Sequence, residues 1–503
     1  MDFAKAANGQ LTCCVNGVRL HSYYNPQKEA DHFAESVSSD FEPSYVLVVE
    51  PALSYCAQPL HQRFPQAVLC CIRLSSEFAL YDDLWQKVFY APDTKASKGG
   101  QMNEILAEQI FSFMAEEGVC SCAFVSWKPS ETAFPKEASF AWHQIRKAVQ
   151  KAMTVLSTRK YFAKRWAKNA LRLSLFAKKT ARIEQGDAAV VVCASGPSLK
   201  RNIPLLRKYR SRFFLVALSS ALSVLLYRGE HPDLCVSTDG GYWAKLHLSG
   251  LDKNSIPLSL ATEGSCFSHI IEESTLIPLV YPSGCSKTII KEAGLTGLSA
   301  TRCGTVSGTA AYLALSITRG DVFFCGLDLA AGKGFAHAQP NSLEVLSSLK
   351  DNRLSTAETR SAKASLPPVS GEPSAMEIYR SWFSSQHFPE RIFRLDTQMP
   401  PDMGTIKGAS WEFFEERTKH FAQKAMPTIK ETQQITAPQS ERKVKLKEVV
   451  RQNTANSEWI EDALALESTI LKRSSQDKKQ EVAKRVEKEM RLFCDDVLGA
   501  LGT

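Results

Sequence analysis

The 503-residue sequence has no C-x-x-C pair, no P-loop, and no basic start followed by an apolar core at Met1 to Gly17. Without paired C-x-x-C spacing, a zinc ribbon is excluded. Without a P-loop, triphosphate recognition by the usual glycine-lysine cradle is excluded. The longest apolar stretch, Phe213 to Leu226, is interrupted by Ser219, Ser220 and Ser223. A spanning helix needs roughly 20 apolar residues, so no membrane span is expected. With no leader either, the protein is expected to be soluble and cytoplasmic. Acidic residues are missing from one long stretch: every charged side chain from Lys151 to Arg182 is Lys or Arg.

Against those absences stands an ordinary globular composition, 44% hydrophobic and 23% charged, with a net charge of +8. That charge is mild for the length and does not argue for nucleic acid. A chain this long calls for roughly two to four domains. The fourteen cysteines are scattered, and Cys193, Cys235 and Cys325 lie inside apolar runs. They are expected to be reduced core residues.

The expected fold class is α/β, in four segments. Residues 1–150 form a smaller N-terminal α/β domain, with a β-α-β unit from Tyr45–Glu50, Leu53–Arg63 and Ala67–Arg73. The turn after its first strand, Glu50-Pro51-Ala52-Leu53-Ser54, has no glycine. Phosphate-cradling turns use glycine to let backbone approach a ligand, so this domain reads as scaffold. Residues 151–186 read as a basic linker helix. Residues 187–410 alternate strand and helix, which predicts a Rossmann-like, doubly wound sheet. Within it, 338–373 reads as a long loop or lid. Residues 411–503 read as a helical C-terminal region, with Thr428 to Gln439 as linker and Leu464, Leu466, Ile470 and Leu471 as core positions. This region is expected to be a small helical domain or an oligomerisation arm.

Four constellations fall at strand ends or helix starts in 187–410, the edge where open α/β sheets bind ligands. The first is Ser195-Gly196-Pro197-Ser198-Leu199, a turn where Gly196 lets backbone approach a ligand and Ser198 offers a hydroxyl or a cap. The second is Ser237-Thr238-Asp239-Gly240-Gly241, a carboxylate after a buried strand, suited to a ribose hydroxyl, a metal or a substrate amine, or to an Asp-Gly turn. The third is Gly304-Thr305-Val306-Ser307-Gly308, where free N–H groups and hydroxyls at a helix start suit a phosphate and the small residues equally suit close packing. The fourth is Gly326-Leu327-Asp328-Leu329-Ala330, followed by Gly332, Gly334 and His337; an Asp and a His on that edge can act as acid–base partners.

In order and spacing, these motifs resemble the motility-associated factor glycosyltransferases, whose shared domain is 6-hydroxymethylpterin diphosphokinase-like. The likeness covers roughly residues 155–410, from the basic Arg159–Trp166 to a closing turn at Gly404–Ala409. The same segment is similar to the small bacterial sialyltransferases. The resemblance implies nucleotide contacts at Gly196, Pro197, Ser198, Ser307 and Gly308, and Ser195, Thr238, Gly304 and Thr305 in the same motifs join them as candidate nucleotide-binding residues. It implies transfer of a nonulosonic, sialic-acid-like sugar from a CMP donor to flagellin serine or threonine, without a metal or other cofactor. The sequence departs from the pattern in two places. Ala194 stands where the family has its first glycine, and 371–377 lacks the late catalytic histidine of the sialyltransferases. The acid–base role then falls to His337, Asp239 or Asp328. Two alternatives stay open. One is an ATP-dependent diphosphokinase with Mg²⁺ on Asp239 and Asp328. The other is a non-catalytic flagellin- or nucleotide-binding partner.

Overall fold

A computed structural model describes residues 1–37, 41–91, 105–329, 337–356, 359, 375–396, 403–474 and 476–502. The chain divides into two compact units, Met1–Tyr161 with Ala455–Leu492, and Phe162–Thr454 with Phe493–Thr503.

The first unit holds an antiparallel sheet of β1 (Asp2–Lys5), β2 (Leu11–Val15) and β3 (Val18–Arg19). Its second sheet is parallel, from β4 (Tyr45–Val49), β5 (Val68–Arg73), β6 (Lys87–Tyr90) and β7 (Cys122–Ser126), in the order β6-β5-β4-β7. The helix between β4 and β5 is shorter than expected, Ala57–Arg63, with Pro59 in its first turn, where proline is tolerated. The sheet winds outward in both directions from β4, so its crevice would open between β4 and β7. The chain fills that place itself. Glu50, Ala52 and Ser54 all adopt positive φ without being glycine. The buried Glu50 carboxylate holds them there, accepting from the amides of Ala52 (3.1 Å), Leu74 (2.7 Å) and Ser75 (3.2 Å) and from Arg73 (3.1 Å). Arg73 donates onward to the Ala52 carbonyl and the Ser54 hydroxyl. His21 packs against Tyr55 and Trp127 and accepts from the Leu53 amide.

The second unit is a sheet of eleven strands. In chain order these are β8 (Lys179–Glu184), β9 (Ala189–Cys193), β10 (Phe213–Leu218), β11 (Leu234–Ser237), β12 (Leu258–Ala261), β13 (Thr275–Val280), β14 (Leu298–Ser299), β15 (Val322–Cys325), β16 (Ile392–Leu395), β17 (Lys407–Ala409) and β18 (Thr428–Gln434). The spatial order is β17-β16-β15-β9-β10-β11-β12-β13-β8-β18, with β14 beside β13, and every pairing but that of β18 is parallel. The unbroken apolar run of β9 follows from its central place. Val190 and Val192 face the helix Val306–Ile317, and Val191 and Cys193 face the helix Leu199–Lys208. Helices thus cover both faces, as a doubly wound sheet requires.

Three expectations are corrected. The basic segment 151–186 is not one helix. The helix runs Pro135–Phe176, and Lys179–Glu184 is strand β8. Thr428 to Gln439 is not a linker either; it supplies β18, antiparallel to β8. Only Leu464 of the four proposed core positions is fully buried, and Ile470 is exposed. The segment 338–373 contains a helix, Ser342–Ser348, and its later part lies outside the described residues. All fourteen cysteines but Cys14 are buried.

Candidate functional site

Strand order reverses at β9, whose neighbours are β10 on one side and β15 on the other. The carboxyl ends of β9 and β15 therefore bound the crevice that such sheets use for ligands. The two turns leaving them are joined rung by rung. The Ala194 amide donates to the Cys325 carbonyl and the Gly196 amide to the Gly326 carbonyl, each at 2.8 Å. Asp328 completes the ladder. Its Oδ2 accepts the Ser198 amide at 2.7 Å and its Oδ1 accepts the Ser198 hydroxyl at 2.5 Å.

The sequence separates these motifs by more than a hundred residues, and the structure makes them one object. Gly196 is needed for that closure: a Cβ there would fall 2.4 Å from the Gly326 carbonyl oxygen and 2.6 Å from Asp328 Oδ2. Gly326 is needed on the other side, with φ +74° and a Cβ position 2.4 Å from the Ala194 carbonyl. Pro197 is half-buried, and Ser195, buried, accepts the Ala338 amide on its carbonyl at 2.7 Å. Both Asp328 oxygens are engaged by Ser198, which makes Asp328 the holder of the turn.

The turn after β11 is built differently. Asp239 is exposed, and its Oδ1 accepts the Gly241 amide at 2.7 Å. Thr238 is half-buried beside it. Gly240 lies under the Trp166 ring, where a Cβ would be 2.6 Å from the indole. Asn169, one helical turn on, donates to the carbonyls of Gly240 (3.3 Å) and Glu263 (2.8 Å). Part of the basic helix therefore supports this turn.

His337 reaches the same neighbourhood from the β15 side. Its Nδ1 is 2.8 Å from Glu344 Oε1, which also accepts the His337 amide. Ala330, Gly332 and Gly334 lie outside the described residues. Sequence reasoning missed His247, on the 3-10 segment Tyr242–Lys253. It is half-buried, and its Nδ1 has no hydrogen-bond partner among the described residues. Burial pushes its pKa below the ordinary imidazole value; His337 pushes the same way and Asp239 opposes. Tyr379, on the helix Ala375–Ser385, has its phenol pushed up by burial and by Asp239. Asp239, His247, His337 and Tyr379 thus share one electrostatic neighbourhood. The available signal for His247 was a histidine shortly after a strand-end aspartate, in a stretch with no clear element pattern.

At the third motif, Gly304 has φ +67° and open space where a Cβ would stand. Thr305 precedes the helix in extended conformation, and its side chain makes no capping bond. Ser307 is buried. Gly308 admits the Trp382 ring, 2.6 Å from its Cβ position, so this glycine serves close packing. Sequence reasoning also missed Arg394, the one charged residue of β16 and only 3% exposed. Among the described residues no group of three or more His, Cys, Asp or Glu is assembled as a metal site. No helix among them is long and apolar enough to cross a membrane.

Comparison with known proteins gives three findings. The chain is 29% identical over 344 residues to an uncharacterized protein of Treponema pallidum (strain Nichols), covering 67% of this chain and 74% of that one. It superposes on the structure of the MAf glycosyltransferase from Magnetospirillum magneticum AMB-1 with a TM-score of 0.48 and 11% identity, covering 99% of this chain and 91% of that one. Residues 163–334 match the family described as 6-hydroxymethylpterin diphosphokinase MptE-like. The Ser195–Ser198 turn, Asp239 and Asp328 all lie within the segment that matches this family.

Proposed function

We propose that this chain is a glycosyltransferase that takes a nonulosonic sugar from a CMP donor and passes it to a protein hydroxyl, with flagellin serine or threonine as acceptor. The observation that carries the reading is the β9–β15 crevice, closed at its base by the Ser198–Asp328 ladder and neighboured by the His247 imidazole, whose Nδ1 has no hydrogen-bond partner among the described residues. In this reading the donor nucleotide lies over the Ser195–Ser198 turn and the start of the helix Val306–Ile317, whose first-turn amides face the carboxyl edge. The acceptor oxygen attacks the anomeric carbon, and the bond from that carbon to the CMP phosphate oxygen breaks. The electron pair leaves with CMP, and the hydroxyl proton passes to His247.

A lowered pKa keeps His247 unprotonated at neutral pH, the state a general base needs. His337, braced by Glu344, and Asp239 tune that imidazole from either side. Asp328 is a positioning residue here, because both its oxygens are taken.

Calorimetric titration with CMP and ATP, with and without Mg²⁺, tests the reading. Metal-independent binding of CMP in preference to ATP is expected. The name of the matching family favours one other reading, a diphosphokinase acting through ATP and Mg²⁺. Mg²⁺-dependent ATP binding would replace the first reading with it.

A further inference from the structure

The segment 337–344 is stitched to the carboxyl edge at several points. The Ala338 amide donates to the Ser195 carbonyl at 2.7 Å, and Ala338 itself is buried. Asn341, 1% exposed, caps the helix Ser342–Ser348 through the amides of Leu343 and Glu344, and its side chain reaches the Ser220 carbonyl at 3.4 Å. The hydroxyls of Ser342 and Ser223 meet at 3.0 Å. His337 stands at the start of this segment, one residue from the bond to the Ser195 turn. Its ring is held from one side. Glu344 Oε1 lies 2.8 Å from Nδ1 and also accepts the His337 amide at 3.1 Å, and Glu344 Oε2 accepts from Gln339. A carboxylate that accepts from three donors has no proton to give, so Nδ1 carries the hydrogen and the neutral ring keeps its lone pair on Nε2. Nε2 lies across the ring from Glu344, and no hydrogen bond from the described residues reaches it. The side chain is 36% exposed, so a ligand on the edge can meet it.

We propose that His337, set by Glu344, recognises ribose: its Nε2 accepts a hydrogen bond from a hydroxyl of the nucleotide lying on the Ser195–Ser198 turn. A lone pair backed by a carboxylate selects a donor. An ionised phosphate has no donor to offer, whereas ribose offers two hydroxyls. Ribose is also the part of a nucleotide joined directly to the phosphate, so it is the donor nearest a phosphate-binding turn, and the base lies further off. Glu344 is a positioning residue here, because it fixes which ring nitrogen keeps the lone pair. The assignment rests on the transferase reading for the place of the nucleotide and for its identity as CMP.

The experiment titrates wild type, His337→Ala, His337→Gln, Glu344→Ala and Glu344→Gln by calorimetry with CMP, 2′-deoxy-CMP, 3′-deoxy-CMP and UMP. Wild type is expected to bind CMP about three- to tenfold more tightly than one of the deoxy forms, the scale of one neutral hydrogen bond. His337→Ala should bring that ratio to one and leave affinity for the deoxy form unchanged, which a damaged fold would not do. His337→Gln can place an amide oxygen near the position of Nε2 and should keep part of the preference. Glu344→Ala should lower the ratio, and Glu344→Gln, whose amide oxygen still accepts from Nδ1, should retain most of it. Nitrogen-15 spectra of the neutral ring should show the proton on Nδ1 in wild type and both tautomers in Glu344→Ala. An unchanged ratio in His337→Ala overturns the proposal, and so does a loss equal for CMP and both deoxy forms. A His337-dependent preference for CMP over UMP overturns it too, since Nε2 would then serve the base. If wild type binds ATP in place of CMP, the same ratios are read with ATP and its 2′- and 3′-deoxy forms. A His337-dependent ratio there sustains the ribose contact and overturns the CMP reading alone; binding of neither nucleotide overturns both.

Discussion

Ser198 shows how much one side chain can carry at this edge. Its amide and hydroxyl both donate to Asp328, tying the end of β9 to the end of β15. Ser198→Ala removes one charge-assisted bond and leaves the other. The expected loss is about 1.5–3 kcal/mol, read as a lower urea midpoint. Asp328→Ala orphans both donors and should cost more; an Asp328→Ala midpoint equal to wild type would show the ladder to be energetically idle. At His247 the prediction is kinetic. His247→Gln should lower kcat at least about a hundredfold if the imidazole is the base. In the wild-type pH profile of kcat/KM, the acid limb should lie below the ordinary histidine pKa, because burial disfavours the cation. Asp239 raises the His247 pKa, so Asp239→Asn should move that limb to lower pH. His337 lowers it, so His337→Gln should move the limb to higher pH. Shifts of the opposite sign would remove His247 from the role.

At the scale of elements, the helix Pro135–Phe176 separates charge from function. Its lysines and arginines dominate the sequence pattern from Lys151 onward, yet the contacts that shape the β11 turn come from Trp166 and Asn169. Asn169→Ala removes a buried amide that donates to two carbonyls and should cost about 1–3 kcal/mol in chemical denaturation. Lys164→Gln removes only an exposed pair with Asp496 and should cost less than about 1 kcal/mol. Equal losses in the two variants would contradict this division. Strand β18 shows a related limit of sequence patterns. Thr428–Gln434 has Ile429 as its one apolar residue and is mostly exposed, so no hydrophobic alternation marks it. It is a strand because β8 offers an open edge, and a charged, bulged edge strand is the usual way to end a sheet.

At the scale of the molecule, two parallel sheets put their switch points to different use. In the second unit the crevice is framed by glycine-bearing turns. In the first it is filled by Glu50, Arg73 and His21. That filling has a measurable consequence at acid pH. Burial lowers the His21 pKa from 6.5 to about 3. Between those values the unfolded chain binds a proton that the folded chain does not, so stability present above pH 6.5 is lost as pH falls. The slope from this group is about 1.4 kcal/mol per pH unit. Glu29 and Glu50, whose pKa values burial raises, act in the opposite direction. The comparison is therefore wild type against His21→Gln, in which the acid-side slope should be shallower by that amount. Identical slopes would place His21 in solvent.

The sequence by itself marked the buried strands β9 to β13, β15 and β16 and the carboxyl-edge motifs, but not β17 or the helices Ser342–Ser348 and Ala375–Ser385. Fully buried parallel strands must be short apolar runs, and the turns between them must carry glycine, serine or aspartate. It also marked the glycine-free turn after β4. Only the tertiary structure decided what those residues meet. Gly196 and Gly326 are small because two turns touch, and Asp328 serves Ser198 across more than a hundred residues. His247 and Arg394 stand out through burial and unpaired donors or acceptors, which are properties of a packed environment and leave no periodic trace along the chain.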